Sequence, residues 1–153
     1  MEGLIGWVVT IALSATCFAT HSYVLSWITQ ADHKFRMFTV MLLLALLHAA
    51  QIHLYGGVTY YLSRILNAAE LEQAQPSLNT FQDHIYFSAT NYTSLGYGDI
   101  TANGVLQLIA TFEALTGLLA IGWSTAFAFW WMQRHWLKEC LEEEKDVADK
   151  VDG

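Results

Sequence analysis

Charged side chains are scarce in this 153-residue chain: Asp, Glu, Lys and Arg together make up 14% of it, where a soluble domain carries about 25%. None lies between Gly3 and Ala31, none between Met37 and Ser63, and only Glu113 lies between Ile100 and Gln133. Each of these windows exceeds the roughly 20 residues a helix needs to cross a bilayer. With 54% hydrophobic residues and a mean hydropathy of +0.33, the chain reads as an integral membrane protein, not a soluble domain. Cysteine is equally sparse. Cys17 and Cys140 stand alone, which excludes a disulfide framework and a cysteine metal cluster. Basic residues number 7 against 14 acidic ones, for a net charge of −7, so nucleic acid is not an expected partner. The excess acid gathers in the tail, at Glu139, Glu142, Glu143, Glu144, Asp146, Asp149 and Asp152. No nucleophile–base set and no phosphate loop is present, so no enzyme activity and no cofactor is expected.

The first window predicts a membrane helix within residues 1–30. It starts Met-Glu, without the positive charge that opens a signal peptide, and is read as a retained span. Trp7 and Trp27 are 20 residues apart, about 30 Å on a helix, as two interfacial anchors would be. It has no arginine ladder of the kind that senses voltage. A second helix is expected over 37–62, with Gly56 and Gly57 as a possible bend and Tyr60 and Tyr61 at its outer end. Residues 63–80 follow as an external loop with a helix-like piece, Ile65 to Gln73, ended by Pro76, the only proline. Thr80 and Asp83 form a capping-box pair that opens a short helix over 81–92. The last span is expected over 104–131, capped by Asn103-Gly104, with an acidic tail at 134–153. Lys34 and Arg36 in one linker, and Arg134 and Lys138 after the last span, mark the cytoplasmic side. This puts the N-terminus outside and the C-terminus in the cytoplasm.

Between the short helix and the last span runs Tyr86-Phe-Ser-Ala-Thr-Asn-Tyr-Thr-Ser-Leu-Gly-Tyr-Gly-Asp-Ile-Thr101. Its centre, Ser94-Leu95-Gly96-Tyr97-Gly98-Asp99, resembles the selectivity filter of the potassium-channel pore family, which usually reads Thr-Val-Gly-Tyr-Gly-Asp. The resemblance covers residues 37–133. It implies an all-α membrane protein: three transmembrane helices, a re-entrant pore helix over 81–92 and a filter over 94–98, assembled as a homotetramer in the plasma membrane. Carbonyls of Ser94, Leu95, Gly96 and Tyr97 would then replace the hydration shell of potassium, the permeant ion, with Gly98 completing the motif. The Ser94 hydroxyl would complete the innermost site. Asp99 would concentrate cations at the outer mouth. Ser94 and Leu95 replace the family's threonine and valine, and a weakly selective cation channel is the alternative they raise.

The resemblance also implies roles in the last span. Gly117, 19 residues after the last filter glycine, is the hinge candidate, with Gly122 as competitor. Ile121 and Thr125 then line the cavity, and Phe129 stands at the inner constriction. Tyr86 and Phe87 occupy positions where aromatic residues brace the filter. Glu113, the one fixed charge inside a span, needs a partner, since a centrally placed acid costs about 2.5–3.5 kcal/mol on insertion scales. Depth along the helices offers His53; the back of the pore helix offers Thr90 or Asn91. His48 and His53 raise an alternative of another class, a haem- or metal-binding membrane protein. Their spacing sets them about 140° apart on a helix, poor for one shared metal. His21, His33, His84 and His135 make no ligand spacing.

Overall fold

The computed structural model describes residues 2–31, 37–65 and 78–152, with side chains described through Arg134. Four helices follow one another: α1 (Glu2–Gln30), α2 (Met37–Ile65), α3 (Phe81–Tyr92) and α4 (Gly104–Asp152). The described residues contain no β-strand. The helix-like piece expected at 65–73, Pro76 and the 32–36 linker lie outside the described residues beyond Ile65, as do the side chains of His135, Cys140 and the acidic tail.

Three segments are long and apolar enough to cross a membrane: Gly3–Gln30, Met37–Ile65 and Gly104–Arg134. The chain is therefore a multi-pass membrane protein. At 12 residues, α3 reaches only about 18 Å, well short of a bilayer core. The last helix differs from expectation at its far end. It does not stop near Trp131 but runs 49 residues without a break, to Asp152. Nothing in that stretch breaks a helix. Beyond Gly122 there is no proline, and no further glycine until Gly153, while Glu, Lys, Ala and Leu, all strong helix formers, fill the tail.

The short helix starts where its capping pair dictates. Thr80 Oγ1 accepts the Asp83 backbone N–H at 3.2 Å. Asp83 Oδ2 in return accepts the N–H groups of Thr80 at 2.8 Å and Asn79 at 3.1 Å. Those backbone donors hold the Asp83 carboxyl below the usual carboxylate range.

Helices α2 and α4 flank α3, while α1 packs chiefly along α4 and only slightly against α2. One core cluster joins α1, α2 and α4 at one end, through Leu25, Ile28, Val40, Leu44, Ala128 and Trp131. A second, Leu13, Cys17, Tyr55 and Ile109, lies midway. The third gathers Leu78, Phe87, Leu106 and Ala110 around α3. Between helices in lipid, burial of apolar surface gives little net drive, so close packing and hydrogen bonds decide the arrangement. One glycine of α2 sets its close approach to α3. A Cβ at Gly56 would lie 2.6 Å from Ile85 Cδ1 and 3.1 Å from the His84 carbonyl oxygen, whereas one at Gly57 would meet nothing within 4 Å. Gly56 thus serves the packing of α2 on α3, and α2 continues through both glycines.

Candidate functional site

The chain leaves α3 through a backbone that keeps to no regular helix or strand. Thr93 N–H closes on Ala89 O at 3.1 Å, Ser94 N–H on Asn91 O at 2.8 Å and Gly96 N–H on Thr90 O at 3.2 Å. These bonds bind the start of the segment to the last turn of α3. Ser94, Gly96 and Gly98 then adopt positive φ, at 56°, 48° and 76°, while Leu95 and Tyr97 between them do not. Alternation of positive with negative φ along a short run lets successive carbonyls share one side. Gly96 and Gly98 take this conformation without strain, and a Cβ at either would meet no atom within 4 Å. Their requirement is conformational, not one of space. Ser94 has no such licence, and a non-glycine residue held there costs about 1–3 kcal/mol. Leu95 and Tyr97 are exposed in the single chain.

Beyond the segment, Tyr86 Oη donates to Asp99 Oδ2 at 2.6 Å, and Asp99 Oδ1 accepts the Ile100 N–H at 3.1 Å. The bond to the carboxylate pushes the Tyr86 phenol up. Phe87 is buried in the cluster around α3. The aromatic pair therefore divides its work, Tyr86 holding the acid and Phe87 the core.

Behind α3 the helices are joined by side-chain hydrogen bonds at two levels. At the first, Glu113 of α4, only 1% exposed, lies against the Ser88 hydroxyl of α3, and Ser88 Oγ also reaches the Ile52 carbonyl of α2 at 2.9 Å. The partner comes from α3, but it is Ser88 rather than Thr90 or Asn91. Thr90 Oγ1 and Asn91 Nδ2 instead donate to the Phe87 carbonyl, at 2.9 Å and 2.7 Å. His53 is turned away: it is exposed, with Nδ1 at 2.7 Å from Ala49 O in its own helix. Equal depth on two helices does not set equal azimuth, and His53 sits on the wrong side of α2.

At the second level a chain of bonds crosses every helix. Tyr92 of α3 donates to Gln51 Oε1, and Gln51 Nε2 donates to Cys17 O of α1 at 3.0 Å. Tyr92 Oη also meets His48 Nδ1 at 2.9 Å, His48 Nε2 meets Ser124 Oγ at 3.0 Å, and Ser124 Oγ meets His21 Nε2 at 3.1 Å. A neighbouring triangle links Ser14, Tyr55 and Thr116 at 3.0–3.4 Å. None of His21, Gln51, Ser88, Tyr92 or Ser124 was singled out as a site by spacing. The signal was there in another form, since each of the three spans carries polar residues that an apolar helix does not need.

Gly117 is buried where α4 crosses the end of α3, and a Cβ there would collide with the Tyr92 carbonyl. Its glycine admits that contact. Ile121 is half-buried and Thr125 exposed; with His48 and Ser124 they border an apolar groove between α2 and α4. Phe129 is exposed on α4. A Cβ at Gly122 would meet nothing. His48 and His53 do not converge, and among the described residues no group of three or more His, Cys, Asp or Glu side chains could hold a metal ion.

This arrangement is two apolar helices, α2 and α4, flanking a short helix that is followed by a glycine-patterned segment. The family model described as ion channel matches residues 48–134, more than half of the chain. The chain belongs to that ion-channel family, in its two-helix, potassium-channel-type form. Helix α1 lies outside the matched region. No curated protein and no solved structure matches the chain.

Proposed function

We propose that the protein is a homotetrameric potassium-selective channel of the plasma membrane, conducting passively through the carbonyls of Ser94, Leu95, Gly96 and Tyr97. The observation that carries this reading is the positive φ at every second residue from Ser94 to Gly98, on a segment that follows a helix too short to span. One chain supplies one such strand, and four around an axis make the oxygen rings that exchange for an ion's hydration shell. Leu95 and Tyr97, exposed in one chain, then gain neighbours in the assembly. Irregular backbone at membrane depth is tolerated only inside protein or against a wet cavity, which a tetramer provides. The carbonyl end of α3 favours a cation, and Asp99, held by Tyr86, supplies a fixed acid at the mouth. The N-terminus is outside and the C-terminus cytoplasmic on this reading, which the basic residues of the linker and of the start of the tail support through the positive-inside bias. On this reading Gly117 is the hinge of the inner helix, Ile121 and Thr125 face the cavity, and Phe129 forms the inner constriction.

A second reading, a weakly selective cation channel, draws on one observation. Ser94 replaces the family's threonine and holds a positive φ of 56°, so the innermost ring is the least rigidly built. Potassium and sodium fluxes into liposomes, with Gly96→Ala as control, separate the two. Potassium flux well above sodium flux, lost in the variant, supports the first. Equal fluxes of the two ions support the second.

A further inference from the structure

We infer that Glu113 is a positioning residue that works as a protonated acid: it donates to Ser88 Oγ, which donates in turn to the Ile52 carbonyl, so that the acid proton and the hydroxyl proton together pin α4, α3 and α2 behind the Ser94–Gly98 segment. The inference rests on the channel reading only for its effect on conduction.

The derivation is a count of hydrogens. Ser88 has one hydroxyl proton and faces two acceptors, the Ile52 carbonyl at 2.9 Å and the Glu113 carboxyl. A carbonyl can only accept. Both contacts are hydrogen bonds at once only if the carboxyl brings the second proton. An ionised Glu113 would draw the Ser88 proton to itself, leave the Ile52 contact without a hydrogen and still have a single neutral donor. Within the three spans no cation offsets such a charge, for no Lys or Arg lies between Gly3 and Ala31, between Met37 and Ser63 or between Gly104 and Gln133. Among the described residues, the titratable groups that feel the charge of Glu113 are Cys17 of α1, Tyr55 of α2 and Tyr92 of α3, and none of them is a cation. Tyr55 and Tyr92 are committed elsewhere, to Ser14 and Thr116 and to Gln51 and His48. A 1%-exposed carboxylate with so little support is not a stable arrangement, whereas a neutral acid in a relay satisfies every partner.

The choice of variants follows from the chemistry. Glu113→Gln keeps a donor of the same reach and cannot ionise, so its amide N–H replaces the acid O–H toward Ser88. Glu113→Ala leaves Ser88 with one partner and a void. Infrared spectra of the protein in bilayers read the proton itself: the unmutated chain should show the C=O stretch of a protonated carboxylic acid at neutral pH, absent from Glu113→Gln. Should that variant fail to assemble, Ser88→Ala serves, since removing the acceptor shifts the same band. Conduction supplies the second readout. The unmutated channel should lose flux as pH rises far enough to take the proton, while Glu113→Gln keeps flux within about twofold and stays flat with pH; Glu113→Ala should lose about tenfold or more at all pH values, having lost a buried hydrogen bond outright. A merely space-filling role would make the Gln and Ala variants differ without altering the pH profile. Absence of the protonated-carboxyl band from the unmutated chain overturns the inference, whether or not the protein conducts. Flux that falls with pH equally in the Gln variant also overturns it, assigning the titration to Cys17, Tyr55 or Tyr92.

Discussion

The Ser94–Gly98 segment and the polar seam behind it are held by opposite means. The segment is fixed by backbone conformation: three positive-φ residues at every second position and bonds from Thr93, Ser94 and Gly96 N–H to the last turn of α3. Its long side chains, Leu95 and Tyr97, are exposed. The seam is fixed by side chains drawn from all four helices, His21, His48, Gln51, Ser88, Tyr92, Glu113 and Ser124, with the Cys17 carbonyl as one acceptor, and most of them are buried. In the first, chemistry is local and every residue counts for its φ. In the second, chemistry is distributed and each residue counts for its azimuth. Damage to the first should abolish function while leaving a folded protein. Damage to the second should weaken the fold and reach function through it.

The largest effect is expected where the two regions touch. Gly117→Ala drives a Cβ into the Tyr92 carbonyl, a backbone group that cannot swing aside, and overpacking of this kind costs about 1–3 kcal/mol or more. Assembly on native gels and unfolding in detergent should both suffer. Gly57→Ala, whose Cβ meets nothing, should be neutral or stabilising by up to about 1 kcal/mol through helix propensity. Equal tolerance of the two would remove the close approach of α4 to α3 from the picture.

A second contrast sets His48 against His53. His48→Ala breaks two bonds, to Tyr92 and Ser124. Inter-helix bonds in membranes average about 0.6 kcal/mol and reach about 1.7 kcal/mol, so a loss of roughly 1–3 kcal/mol is expected. His53→Ala, exposed and bonded only within its own helix, should change unfolding hardly at all. The reverse order would show that the seam does not bear on stability.

These two regions also differ in how far the sequence discloses them. Glycines at alternate positions, an acid directly after them and the Thr80–Asp83 pair are short-range patterns, and the conformation they call for depends on residues within a few positions. That is why α3 could be bounded at Phe81 and Tyr92 from the sequence. The identity of the Glu113 partner is a long-range matter. Depth could be reckoned at 1.5 Å per residue, but rotation about the helix axis depends on packing, and here Gly56 and Gly117 draw α3 in until Ser88, not Thr90, faces Glu113. The same applies to His21, whose span shows no ligand spacing and whose partner Ser124 lies 103 positions away. The unbroken run of α4 to Asp152 has another origin, because the charges of the acidic stretch hide its high helix propensity.

Smaller effects test the edges of each region. Thr80→Ala removes the cap of α3 and should cost about 1 kcal/mol. Asp83 gives the matching pH dependence. Its carboxyl sits below the usual range in the fold, so the stability it lends is present above the ordinary carboxylate pKa and is lost as pH falls through the depressed value. Unfolding midpoints followed from neutral to acid pH should show that loss in the unmutated chain and not in Asp83→Asn. Phe129→Ala, on the exposed face of α4, should raise open probability modestly if an aromatic constriction closes by dewetting; unchanged gating at normal expression would leave Phe129 an interfacial anchor.

The measurement that bears most directly on conduction through the Ser94–Gly98 carbonyls is the reversal potential of purified protein in planar bilayers under opposed potassium and sodium gradients. A potential close to that of potassium is expected, with current abolished or selectivity lost in Gly96→Ala, whose Cβ would be held at a φ of 48°. A reversal near zero in the unmutated protein would contradict potassium selectivity. Unchanged current and selectivity in Gly96→Ala would contradict the carbonyl path itself.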